Sequence, residues 1–167
     1  VTILSAKPGA GKSTLLLQVA QDVASQGFKV LYASGEESES QIKNRADRIL
    51  GYLNPNIWVI SDISMNHVLD SIEEVDADLI IVDSIQTFIL DEYLPSRAGS
   101  PTQTMECANE LVRIAKNSSK PRAVILIGQM NKSEELAGLR ALEHLVDTVL
   151  IIDGEDGEEL RGITATK

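Results

Sequence analysis

A glycine-rich segment close to the start of the chain limits the possible folds more than any other feature. Residues 6–14 read AKPGAGKST, between an apolar run at Val1–Ser5 and an amphipathic stretch at Lys12–Gln26. Glycines in such a loop let the backbone wrap around phosphate groups, with its amides and the helix N-terminus directed at the anion. A strand, this loop and a helix in this order predict a P-loop nucleotide-binding protein.

The motif assigns a task to several of its residues. Lys12 would reach the β- and γ-phosphate oxygens, which makes it a candidate catalytic residue, and the Ser13 hydroxyl would bind Mg²⁺. The predicted cofactors are therefore ATP or ADP and Mg²⁺. Ala6 occupies the position of the first glycine of the pattern, a variant that many P-loop proteins share. The predicted nucleotide-binding residues are Pro8, Gly9, Ala10, Gly11, Lys12, Ser13 and Thr14.

A second motif lies at the end of another apolar run. Leu79–Val82 is fully apolar, as in strands buried on both faces of a parallel sheet, and Asp83 follows it directly. A carboxylate at the end of such a strand can hold Mg²⁺ through water. The alternative is an aspartate that caps a turn. The P-loop upstream favours Asp83 as a metal-binding residue.

The group that activates water must come from elsewhere. Ser84 stands where many P-loop ATPases carry a catalytic glutamate, whereas Glu36 and Glu37 follow the predicted strand Phe28–Ala33. The carboxyl end of that strand should lie beside the nucleotide, where a carboxylate can orient and deprotonate the attacking water. Alternatively, both glutamates only favour the N-terminus of the next helix.

Gln129 ends the fifth predicted strand and is a further candidate catalytic residue. Its side-chain amide could contact the γ-phosphate and transmit its presence to the loop that follows. The alternative is an ordinary polar residue at the end of a strand.

The order of apolar and amphipathic segments predicts an α/β fold. We expect a mostly parallel, twisted sheet with helices on both faces and a C-terminal β-hairpin. Segment 84–101 is predicted to be a long loop, of the kind that is usually functional or mobile. The predicted strands are 1–5, 28–33, 57–60, 79–83, 123–128, 148–153 and 160–166, and the predicted helices are 12–26, 38–50, 68–75, 104–117 and 142–145.

Length and composition narrow the function classes. The 167 residues fit one domain, 1–167, and strand-like runs at both ends predict a fragment of a longer protein. With 15 basic and 25 acidic residues the net charge is −10, which excludes a broad basic coat but not a local nucleic-acid site. The single cysteine, Cys107, excludes an internal disulfide and a cysteine-based zinc site. We expect a cytoplasmic protein without a membrane partner.

Longer stretches of the chain resemble the bacterial RadA (Sms) recombination ATPases of the RecA/DnaB superfamily. They are residues 31–38, 41–46, 83–87 and 136–148. The resemblance implies a RecA-like P-loop NTPase core that forms rings, usually hexamers, binds single-stranded DNA and drives branch migration in homologous recombination and DNA repair. It also implies that Glu36 activates water. The zinc finger and the Lon-like domain of that family are not in this chain.

The resemblance further implies which residues contact DNA and neighbouring subunits. The DNA-facing loops would follow the fourth and fifth strands and carry Arg97, Lys132 and Arg140. The alternative for these loops is an ordinary solvated surface. Lys167 occupies the first position of the K-N-R-F-G motif of the family. In related ring helicases a lysine and an arginine here reach the γ-phosphate of the neighbouring subunit.

Two other function classes share the nucleotide residues. A replicative-type ring helicase would separate strands rather than migrate branches. A KaiC-like signalling or assembly ATPase would share the Glu36–Glu37 pair, hydrolyse ATP slowly and ignore DNA.

Overall fold

A computed structural model describes residues 1–117, 119–129, 140–154, 157 and 159–167. Seven strands form one sheet in the order β3-β2-β4-β5-β1-β6-β7. All neighbouring strands are parallel except β6 and β7, which form the antiparallel C-terminal pair. The predicted fold class is confirmed. The elements are β1 (Thr2–Ala6), α1 (Lys12–Ser25), β2 (Val30–Ser34), α2 (Glu39–Leu50), β3 (Ile57–Ser61), α3 (Met65–Val75), β4 (Leu79–Asp83), α4 (Pro101–Ala115), β5 (Ala123–Gln129), β6 (Thr148–Asp153) and β7 (Gly162–Ala165).

Helices cover both faces of the sheet, so the central strands are apolar on both sides. In β4, Ile80 and Val82 belong to the core that includes α3 and α4, whereas Leu79 and Ile81 belong to the core that includes α1 and α2. This double burial explains why the strand shows a continuous apolar run instead of alternation.

Helix starts follow local capping signals. A capping box begins α2, since the Ser38 hydroxyl accepts from the Gln41 amide and the Gln41 side chain accepts from the Ser38 amide. The helix predicted from Thr104 begins earlier, at Pro101, because Ser100 caps it and proline suits the first helical position. The helix predicted from Val68 likewise begins earlier, at Met65.

The long segment between β4 and α4, predicted as a loop, contains some regular structure. It contains short 3-10 helices at Ile85–Thr87 and Asp91–Tyr93. The fully buried Gln103 of α4 accepts from the Leu90 amide and donates to the carbonyls of Leu90 and Ser96. These bonds attach the segment to α4.

Two predicted features at the C-terminal side of the sheet have different outcomes. Residues 140–143 are helical, which overlaps the predicted short helix, whereas the predicted loop 131–138 lies outside the described residues. Among the described helices, none has the length and apolarity needed to cross a bilayer.

Candidate nucleotide-binding site

The candidate site is a cleft at the carboxyl ends of the central strands. Strand register aligns Ala6 of β1 with Gln129 of β5, and Ser34 of β2 with Asp83 of β4. Open parallel sheets bind ligands at this edge. The cleft has a volume of about 340 Å³. Its lining residues are Pro8, Gly9, Gly11, Lys12, Ser13, Thr14, Glu36, Arg45, Asp83 and Gln129.

The P-loop has the backbone shape that its glycines permit. Gly9 and Gly11 have φ angles of 79° and 92°, in the left-handed region that a side chain disfavours. The Lys12 side chain is buried, and its Nζ donates to the Ala6 carbonyl oxygen at 3.3 Å. Within the described residues no carboxylate forms an ion pair with Lys12. Its charge is therefore available to an anion in the cleft.

Asp83 and Ser13, the two predicted metal-binding residues, are in contact. Ser13 Oγ donates to Asp83 Oδ2 at 2.8 Å, and the Tyr32 hydroxyl donates to the same oxygen at 3.3 Å. Burial raises the pKa of the Asp83 carboxyl, although the Ser13 hydrogen bond opposes this shift. A buried carboxylate held only by neutral donors fits a site that a cation would complete.

Mg²⁺ fits this oxygen donor set. No cluster of three or more histidine, cysteine, aspartate or glutamate side chains forms a metal site in the described part of the chain. A Mg²⁺ ion here would be held by Ser13, Asp83, nucleotide phosphates and water, the few-ligand arrangement that this ion commonly adopts.

Tyr32 is a site residue that sequence reasoning missed. It lies in β2, and its pKa is raised by burial and by the nearby Asp83 carboxylate, so the hydroxyl stays protonated and donates to that carboxylate. The one signal in the sequence was the position of Tyr32, one residue before the end of the predicted strand 28–33, whose carboxyl end was expected beside the nucleotide. An aromatic residue in a strand is otherwise typical of a core.

Glu36 lies between two neutral donors at the mouth of the cleft. Its Oε1 accepts from Ser84 Oγ at 2.9 Å and from Gln129 Nε2 at 2.5 Å. Ser84, which stands where many P-loop ATPases carry a glutamate, therefore contacts a glutamate that follows β2. The chain bends sharply before Glu36 at Gly35, where a Cβ atom would lie 2.1 Å from Thr87 Oγ1.

Glu37 has a different partner and does not line the cleft. Its Oε1 pairs with Nη2 of Arg45 at 2.7 Å. Arg45 extends from α2 and itself lines the cleft. Sequence reasoning assigned no function to Arg45, and no local signal marks it, because its position depends on how α2 packs against the sheet.

Neither of the two described residues that are predicted to contact DNA lines the cleft. Arg97 and Arg140 are exposed, and Lys132 lies outside the described residues. Lys167 donates to the Glu143 carbonyl oxygen at 2.7 Å, near the amino end of β6, so it is at the opposite end of the sheet from the P-loop of its own chain. A contact of Lys167 with a neighbouring subunit stays a prediction.

This arrangement of sheet, P-loop and paired polar strand ends defines a P-loop ATPase of RecA-like architecture. Residues 1–135 match the family model described as AAA domain, and the chain belongs to that family. A solved KaiC-like protein from Pyrococcus horikoshii has the same fold, with a TM-score of 0.75 over 99% of this chain and 77% of that chain, at 16% identity.

Curated relatives confirm the resemblance seen in the sequence. The DNA repair protein RadA of Bacillus subtilis is 42% identical over 167 residues, which cover 100% of this chain and 36% of that protein. RadA of Campylobacter jejuni is 42% identical over 161 residues, 96% of this chain and 35% of that protein. The chain thus spans about a third of the length of these relatives.

Proposed function

We propose that the chain is the ATPase core of a RadA-type motor that acts on DNA in homologous recombination and repair. The single observation that supports it most is the position of Glu36, which Ser84 and Gln129 hold at the mouth of the cleft that contains the P-loop and Asp83. This is the carboxylate that hydrolysis of a bound nucleoside triphosphate requires, on the strand that the RadA resemblance indicated.

Each cleft residue then has a defined part in hydrolysis. The P-loop amides and Lys12 bind the phosphates, and Ser13 and Asp83 would hold Mg²⁺, which neutralises charge on the β- and γ-phosphates. Glu36 orients a water molecule and takes its proton as the water oxygen bonds to the γ-phosphorus. The bond from that phosphorus to the β,γ-bridging oxygen breaks, and ADP and phosphate leave.

Gln129 connects this chemistry to the segment that follows β5. Its side chain donates to Glu36, and its own carbonyl oxygen accepts from Gln86 Nε2 at 3.4 Å. A γ-phosphate that accepted a hydrogen bond from Gln129 Nε2 would take that donor away from Glu36 and break the first of these contacts. In the proposed motor this change reaches the DNA-contacting loops.

The DNA, ring and location parts of the proposal rest on the RadA resemblance. Arg97 and Arg140 are exposed cations that would contact single-stranded DNA, together with Lys132. With a net charge of −10, such binding depends on a few local cations, repeated in each subunit of a ring. Branch migration, a hexameric ring, Lys167 acting in trans and a cytoplasmic location are further parts of the proposal.

The test is Mg²⁺-dependent ATP hydrolysis, measured with and without single-stranded DNA. It uses this chain and a version extended past Lys167 by the Asn-Arg-Phe-Gly residues of the family motif and the segment after them. We expect nucleotide binding but slow turnover by this chain, and DNA stimulation that appears or grows with the extension. Brisk hydrolysis by dilute monomer would contradict the trans-acting contact.

The same proteins, tested also for separation of a forked duplex and for migration of a branched one, distinguish the alternative functions. Nucleotide binding without a DNA response in either version would favour a KaiC-like signalling or assembly ATPase. A DNA response accompanied by separation of a forked duplex, with no migration of a branched one, would favour a replicative-type helicase.

A further inference from the structure

The guanidinium group of Arg45 is only half satisfied. Nη2 forms an ion pair with Glu37 Oε1 at 2.7 Å, but the buried Nη1 has no hydrogen-bond partner among the described residues. A buried donor without a partner costs free energy, and more so when it carries charge. Such a group is typical of a site where a ligand supplies the missing acceptor.

The position of Arg45 is fixed before any ligand arrives. On its own helix, Ile42 and Ala46 are buried against the sheet. Its partner Glu37 is held through the backbone, since the Glu37 amide donates to Ser34 Oγ at 3.1 Å and the Glu37 carbonyl accepts from Ser61 Oγ at 2.7 Å. The guanidinium therefore loses little freedom when it binds an anion.

The cleft presents Arg45 to the same ligand as the P-loop. Of the residues that line the cleft in the described structure, Lys12 and Arg45 are the cationic ones. Arg45 comes from the side of β2, as does Glu36, and its charge acts on the Tyr32 hydroxyl that contacts Asp83. This is the wall expected to face the terminal phosphate and the metal, because the P-loop amides and the start of α1 already surround the inner phosphates.

We propose that Arg45 Nη1 binds the terminal phosphate of a nucleoside triphosphate bound to its own subunit, while Nη2 stays on Glu37. A planar guanidinium can bridge two anions in this way, which a lysine ammonium does less well. Arg45 then makes the cleft prefer triphosphate over diphosphate. The inference rests on the proposed function, because it assumes that the cleft binds ATP.

The test compares Arg45→Gln with Arg48→Gln. Arg48 is on the same helix and lines the neighbouring cavity with Glu37 and Arg45, but it does not line the nucleotide cleft. Affinities for a non-hydrolysable ATP analogue and for ADP, both with Mg²⁺, are measured by calorimetry. We expect Arg45→Gln to weaken the ATP analogue about 10-fold or more, the scale of one charge-assisted hydrogen bond, and ADP less than about 2-fold. Arg48→Gln should change neither affinity.

Two further variants separate direct contact from an indirect effect. Arg45→Lys should give an intermediate loss of triphosphate preference, because one ammonium cannot reach both anions equally, and it also decides the question if Arg45→Gln does not fold. Glu37→Gln should lower the preference less than Arg45→Gln does, because the guanidinium keeps its charge and loses only the partner that positions it. If Glu37→Gln lowers the preference as much as Arg45→Gln does, Arg45 acts only through Glu37 and the proposal is wrong.

Failure of the inference and failure of the proposed function give different results. If the unmodified chain binds neither nucleotide with Mg²⁺, the proposed ATP site is wrong. If it binds both, and Arg45→Gln weakens them equally or not at all, only the assignment of Arg45 is overturned.

Discussion

The charged side chains at the two ends of the parallel sheet differ in whether they form ion pairs with one another. At the amino ends of β4 and β5 the charges satisfy one another. Lys120 Nζ lies 2.7 Å from Asp76 Oδ2 and 3.4 Å from Asp78 Oδ1, and Arg122 Nη2 lies 3.1 Å from Asp76 Oδ1. Asp78 also accepts from the Lys29 amide at 2.8 Å. We call Lys120, Arg122, Asp76 and Asp78 the paired cluster.

At the carboxyl ends, four charged side chains stay apart from one another. Among the described residues, Lys12 donates only to a backbone carbonyl, and Asp83 and Glu36 accept only from neutral groups. Arg45 keeps one nitrogen without a partner among the described residues. We call Lys12, Asp83, Glu36 and Arg45 the open cluster.

The difference separates charges that stabilise the fold from charges that await a ligand. Both clusters lie at strand ends of one sheet and contain both signs of charge, so sequence composition does not distinguish them. The partners do: the members of the paired cluster form ion pairs with one another, whereas those of the open cluster contact neutral groups or, in the case of Arg45, a glutamate outside the cluster. Perturbed, incompletely paired charges of this kind concentrate at functional sites. Substitutions in the paired cluster should change stability, and those in the open cluster should change binding or turnover.

The largest expected effect is on turnover. Glu36→Gln should lower the rate of ATP hydrolysis about 100- to 1,000-fold while nucleotide binding is retained, because the amide cannot accept the proton of water. Steady-state phosphate release checks the rate. Glu73→Gln, next to the paired cluster, is the control and should leave turnover unchanged. A loss as large from Glu37→Gln would show that the other glutamate is the base.

The next effect is on affinity. Lys12→Met should weaken ADP and ATP binding about 100-fold, the scale of two charge-assisted hydrogen bonds to phosphate. Titration with a fluorescent nucleotide measures it. The matched change Lys120→Met should leave affinity unaltered and lower the midpoint of urea unfolding. An affinity loss in both variants would remove the distinction between the clusters.

Stability is the expected readout for Arg122. Its side chain is only 6% exposed and also donates to the Ala77 carbonyl oxygen. Arg122→Met should lower the free energy of unfolding by about 2 kcal/mol, because it leaves acceptors unpaired, with nucleotide affinity unchanged. Urea unfolding measures this. The control is Arg113→Met, whose side chain is 69% exposed and paired with Glu110; it should cost less than about 0.5 kcal/mol.

The smallest expected effect is on the free energy of unfolding when an aspartate is neutralised, and it should have opposite signs in the two clusters. Burial raises the pKa of Asp83 in the folded state, so its ionised form costs stability as the pH rises through that pKa. Without metal or nucleotide, Asp83→Asn should raise the free energy of unfolding at pH 7 by about 1 kcal/mol, an advantage that shrinks in acid.

The matched variant in the paired cluster is Asp76→Asn. The Lys120 side chain holds the pKa of Asp76 below its usual value, so the ionised form contributes stability that is lost as the pH falls through that pKa. Asp76→Asn should therefore lower stability at pH 7. Thermal melts between about pH 2 and pH 7 compare the two variants, and a shared sign at pH 7 would contradict the opposite pKa shifts.

The sequence predicted the parts of the site that depend on local order along the chain. The P-loop needs only its own glycines and the helix that follows, and Asp83 and Gln129 needed only the end of an apolar run. Parallel strands bring such ends to one edge, so the fold class placed Glu36 and Gln129 beside the same cleft, whereas their direct hydrogen bond was not predicted.

The rest depends on contacts between distant residues. Arg45 reaches the cleft because α2 packs on the sheet, and Gln103 is buried because it binds backbone that lies 7 to 13 positions away in the chain. The aromatic residues show the same limit. Large aromatic side chains generally favour the core, as Tyr32 does, but Tyr52 is 58% exposed and Trp58, on the edge strand β3, is 37% exposed.

The hydrogen bonds of Gln103 also determine how this part of the protein should open locally in solution. The Leu90 amide lies outside every helix and strand, yet it donates to a buried side chain of α4. Its exchange with deuterated water should be as slow as that of the α4 amides, because both are released only when the same cooperative unit opens. Residues 90–96 should therefore be released together with α4.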